Sequence, residues 1–84
     1  MPCYIEAFER VANRDFNQLE IHRIEMKLRE EFGNIYRKPV IKHSELEVMI
    51  KTMEKDDPLR YKQIIFKILE QLNVDLQENL ITPL

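Results

Sequence analysis

His22 and Glu25 stand one helical turn apart in the run Glu20-Ile21-His22-Arg23-Ile24-Glu25, a spacing that can place two metal ligands on one edge. A metal site takes three or four ligands, and the second histidine, His43, belongs to a different element, so a dimer mate would have to complete it. Two polar residues on a solvated face opposite Ile21, Ile24 and Leu28 is the simpler reading. His43, beside a helix start, reads as a surface residue. Ser44 is the one serine of the chain, and with Glu47 three residues on it fits a helix cap better than a nucleophile. Thr52 and Thr82 have no histidine at a suggestive spacing, and the lone Cys3 lies too near the chain start to sit in a formed cleft. The carboxylate neighbours Glu30-Glu31 and Asp56-Asp57 diverge from adjacent positions, unlike a pair facing across a glycosidic bond. The sequence therefore predicts no catalytic residue, no metal and no cofactor.

Gly33 is the only glycine among 84 residues. Phosphate-cradling loops need several glycines and two-residue hairpins lean on them, so nucleotide-binding loops and tight β-meanders are excluded and an all-α chain is expected. The punctuation divides it into three to five helices. Tyr4, Ile5, Phe8, Val11 and Ala12 recur at helical intervals over 3–12. Asp15 with Gln18 forms a capping-box pattern, opening a helix over 15–32 whose stripe is Leu19, Ile21, Ile24, Leu28 and Phe32 and whose stop is Gly33. Ser44 with Glu47 opens a third over 45–55. Asp57 followed by Pro58 ends it and starts the next, 58–72, with Tyr61, Ile64, Ile65, Ile68, Leu69 and Leu72 on one face. A further short helix at 75–81 is the alternative to a tail that reaches for a partner. Between 34 and 43 the chain is extended by Pro39, and at least two of Ile35, Tyr36, Val40 and Ile41 are expected to pack on the helices.

The composition, 44% hydrophobic and 33% charged, is that of a folded domain, and a chain this short builds only a small core. No apolar run approaches the roughly 18–20 residues of a membrane span, and the first residues lack the basic region of a secretory signal. One cysteine forms no internal disulfide, so a cytoplasmic single domain over 1–84 is the expectation. A net charge of −2 argues against a surface that tracks a phosphate backbone. Arg37, Lys38 and Lys42 nevertheless make a local basic strip that could meet an acidic partner or a phosphate, against the plainer reading of three solvated cations in a loop.

Apolar bookkeeping carries the functional reading. Met26, Tyr36, Val48, Leu59 and the apolar tail exceed what a few short helices bury alone, which points to a homodimer, through 15–32 or 58–72, and to a further protein partner. Tyr36, Arg37 and Lys38, with Met49 and Met53, are the expected partner contacts of a small regulator, adaptor or inhibitor. A competing reading takes 45–55 and 58–72 as a helix-turn-helix-like pair presenting Arg60, Lys62, Gln63 and Lys67 to DNA, although its turn carries two aspartates. An accessory subunit of a larger enzyme complex is a third. The Gly33-Asn34-Ile35-Tyr36-Arg37-Lys38 run and the Tyr61–Leu69 helix resemble the small helical connector regulators of enteric bacteria, and Pro39-Val40-Ile41 after a helix is similar to the theta subunits of bacterial DNA polymerase III. Neither resemblance extends through a specific motif, the helix spacing departs from theta's, and no functional residue is carried across.

Overall fold

The computed structural model describes residues 3–81, with side chains over 4–77, and those residues form four helices and no strand. Cys3 as a thiol, Thr82 and the tail beyond Ile81 lie outside the described side chains. Helix α1 spans Cys3–Ala12, α2 Gln18–Tyr36, α3 His43–Asp56 and α4 Pro58–Ile81. The long α4 packs against the other three, and α1 also packs on α3, while α2 and α3 are not a principal packing pair.

Each helix contributes one stripe to a shared core. Glu20, Ile24, Leu28 and Phe32 are buried along α2 at four-residue steps. Tyr4, Ile5, Ala7 and Phe8 face them from α1, Leu46, Ile50 and Met53 from α3, and Ile64, Ile65, Ile68 and Leu72 from α4. The connections contribute too, through Phe16 and Val40. Val40 and the partly buried Ile35 are the two apolar residues of 34–43 that pack, whereas Tyr36 and Ile41 stay exposed. The four residues counted as surplus, Met26, Tyr36, Val48 and Leu59, are all exposed.

The element boundaries differ from the sequence reading at their caps. Asn17, not Asp15, caps α2: its side chain accepts from the Glu20 amide at 2.8 Å while Glu20 accepts from the Asn17 amide at 3.1 Å. This box wins because Glu20 is held from the other side by Arg14, whose guanidinium meets both carboxylate oxygens at 3.3 and 2.8 Å and lies 4.4 Å over the Phe16 ring. Ser44 does not cap α3 either. That helix begins two residues earlier than read, at His43, with Lys42 as a cap that makes no side-chain bond. Asp57 performs as read: its carboxylate accepts from the Arg60 amide at 3.3 Å, ahead of Pro58 in the first turn of α4. From there α4 runs unbroken through Asn73 to Ile81, absorbing the separate 75–81 helix, because Leu76 continues the stripe onto the core and Asp75 is anchored by Lys27 at 3.1 Å.

Gly33 does not stop α2. The helix continues to Tyr36, and the left-handed position falls on Arg37, with φ 56°. Another left-handed residue, Asn13, follows α1 and suits that conformation better. The glycine thus lies four residues before the place that needs one. A Cβ built at Gly33 meets the Lys38 carbonyl oxygen at 3.6 Å, an ordinary contact. Gly33→Ala should therefore stabilise the fold by about 0.5–1 kcal/mol, and Arg37→Gly by a similar amount, both read as a raised midpoint in thermal unfolding followed by circular dichroism.

Candidate functional site

Of the places where side chains of different elements meet, two gather residues weighed in the sequence for chemistry or for partner contact. The first is a polar junction at the start of α3. Tyr4 donates its hydroxyl to Glu25 Oε1 at 2.9 Å, and His43 Nδ1 lies 2.6 Å from the same oxygen. A carboxylate only accepts, so Nδ1 carries the proton. The Tyr4 and His43 rings are tilted at 5.4 Å, Arg29 stands 3.8 Å from Glu25, and Glu47 stands 3.8 Å from His43 Nε2. Arg29 also donates to the Ile41 carbonyl at 2.6 Å, which draws the 37–42 connection back along α2.

Burial pushes the Tyr4 hydroxyl well above its ordinary range, and the hydrogen bond to Glu25 adds to this, so Tyr4 stays a donor. Burial also opposes ionisation of Glu25, but the hydrogen bonds from Tyr4 and His43 and the charge of Arg29 outweigh it and hold the carboxyl below its usual value. The solvated His22–Glu25 pair expected from sequence is therefore only half present: His22 is exposed, whereas Glu25 is turned into a three-helix junction. Its partners lie 21 and 18 residues away, and no local spacing announces them. Among the described residues no group of three or more His, Cys, Asp and Glu side chains could hold a metal, and no serine or threonine hydrogen-bonds to His43. The arrangement ties α1, α2 and α3 to a single carboxylate.

The second arrangement is an open groove of ≈ 560 Å³ lined by Tyr36, Lys38, Ser44, Glu45, Val48, Met49 and Thr52. It lies between the last turn of α2 with its following connection and the outer side of α3. The Tyr36 ring lies tilted beside the buried Phe32 ring, centroids 6.0 Å apart, and remains 46% exposed, and Val48 is 64% exposed. Three of the residues expected to contact a partner, Tyr36, Lys38 and Met49, share this groove. Arg37 is exposed beside it. Met53, by contrast, is in the core at 4% exposure: four residues after Met49, it has turned from the groove edge under α4. The residues named for DNA, Arg60, Lys62, Gln63 and Lys67, are all exposed on α4, and Lys67 also pairs with Glu31 of α2 at 2.5 Å.

No helix among the described residues is long and apolar enough to cross a membrane. Comparison of the chain with known protein families, with curated proteins and with solved structures finds no match.

The depressed carboxyls fix the sign of the acid response. Glu25 and Glu20 both ionise more readily when folded, Glu20 chiefly through its bond from Arg14 against the cost of burial. Their stabilisation is complete above the usual carboxylate value of 4.5 and is lost as pH falls through it and below. The unfolding midpoint should be flat near neutrality and drop in acid, and Glu25→Gln should lower it at neutral pH by about 1–2 kcal/mol equivalent while flattening the acid limb. Thermal melts across the pH range check both.

Proposed function

We propose that this chain acts by protein–protein contact, as a small dimeric adaptor or regulator that seats an acidic amphipathic segment of a partner in the Tyr36–Val48–Met49 groove. The observation that supports this reading most directly is the groove itself, which gathers an aromatic, a branched aliphatic and a methionine at a solvent-exposed cleft. Methionine and tyrosine suit an adaptable contact, one by flexibility and the other by rigid area with a polar tip. Charge gives the partner its chemistry. Lys38 lines the groove and Arg37 and Lys42 lie exposed on the same connection, so a segment carrying Asp or Glu beside its apolar residues meets complementary charge on that rim, with its acids held to that side by Glu45 of α3, which also lines the groove.

Val48→Asp tests the groove, because its side chain is exposed and the change leaves the core untouched. Affinity capture from the native cell with wild-type and Val48→Asp baits should retain a partner with the first and lose it with the second, the two proteins having the same thermal midpoint. Identical capture by both baits contradicts the reading.

Exposure of Arg60, Lys62 and Gln63 keeps a DNA-binding regulator as the second reading. Against it, the Asp57 carboxylate already accepts from the Arg60 amide at the start of α4, where a phosphate would bind, with Asp56 beside it. No retardation of random duplex DNA is expected in a gel shift at low salt, and retardation that weakens with added salt would favour this second reading over the groove.

A further inference from the structure

We infer that the outward face of α4 is the surface on which a second copy of this chain docks, antiparallel, about a two-fold axis passing near Phe66. This rests on the dimeric part of the reading above and is independent of the groove. Phe66 is 59% exposed and Leu59, two turns earlier on the same face, is 67% exposed, although α4 buries its opposite stripe thoroughly. An apolar helix face left open in this way is ordinarily covered.

Charge selects the occupant and its direction. The ionic groups of α4 that look toward α2 find partners within the chain: Lys67 on Glu31, and Asp75 on Lys27 and Arg23. The two that flank Phe66 do not. Lys62 precedes it by four residues and Glu70 follows it by four, both exposed, and neither makes an ion pair among the described residues. Eight residues of helix separate them by about 12 Å, so they cannot reach one another within one chain. In an antiparallel pair centred on Phe66 the residue n places before the centre faces the residue n places after it. Lys62 then meets Glu70 of the second copy, twice by symmetry, and Leu59 lies beside its exposed Val74, which faces Pro58. A parallel pair would set lysine on lysine and glutamate on glutamate, which is repulsive. The face is thus complementary to itself in one orientation, as an isologous contact requires. A contact made by a single helix from each copy is small, so the dimer should dissociate on dilution.

Sedimentation equilibrium of the full chain over a range of concentrations tests this. Wild type should be a dimer that dissociates on dilution, and Phe66→Asp should be monomeric with an unchanged helical spectrum. Lys62→Glu and Glu70→Lys singly should each weaken association about tenfold at low salt, by opposing like charges across the axis. The double exchange Lys62→Glu with Glu70→Lys should restore it to near wild type, an outcome that a fold defect would not produce. Val48→Asp should leave the mass unchanged, so that failure here and failure of the groove are told apart. A wild-type monomer at every concentration, a dimer indifferent to Phe66→Asp or dispersed by Val48→Asp, or a double exchange weaker than either single overturns the proposal.

Discussion

The carboxylate of Glu25 is the point on which the arrangement of the first three helices depends. The two helices it joins most directly, α2 and α3, are not held together by a broad apolar seam, since each gives its buried stripe mainly to α4. What fixes their relation is polar: one oxygen receives the Tyr4 hydroxyl from α1 and the His43 ring from α3, and the neighbouring Arg29 holds the connection between them by the Ile41 carbonyl. Because α3 is pinned at its first residue and leaned on α4 beyond it, its outer side stands away from the end of α2. The groove is the space that results.

A second polar anchor does for α1 and α2 what Glu25 does for α2 and α3. Glu20 is buried on an apolar stripe, where a lone carboxylate would be costly, and it is satisfied by Arg14 and by the Asn17 amide together. The Arg14 guanidinium remains partly in solvent, so only one charge of the pair is taken out of water. The turn between the helices is closed further by Glu9, which accepts from the Phe16 amide at 3.3 Å. The short connections of this chain are therefore set by side chains reaching across them.

Apolar periodicity and proline placement made the helices legible from the residues alone. The stripe on α4 continues past Leu72 because Leu76 keeps its spacing, and Asp57-Pro58 marks its joint with one residue of slack. The caps were less legible, because Asp15 and Asn17 each present a plausible box with Gln18 or Glu20 and only the distant grip of Arg14 decides between them. Ser44 lost its capping role for a similar reason, since His43 is fixed by Glu25 and takes the first helical position. Gly33 misled as a stop because local sequence favours glycine at a left-handed cap, while the chain placed Arg37 there. For the groove, Tyr36 and Val48 were visible as surplus apolar residues and Tyr36, Lys38 and Met49 as expected contacts, but that Val48 joins them in one cleft and that Met53 is core instead required the packing of α3.

The joint at Asp57 has a mechanical meaning. A single non-helical residue, with φ −143° and ψ 68° and its amide bonded back to Met53 at 2.8 Å, leaves α3 and α4 meeting at a stiff corner. The groove is on one arm of that corner and the open face around Phe66 is on the other. With only that residue between the helices, the corner fixes the directions in which the two surfaces face, so that they present themselves to solvent on separate arms.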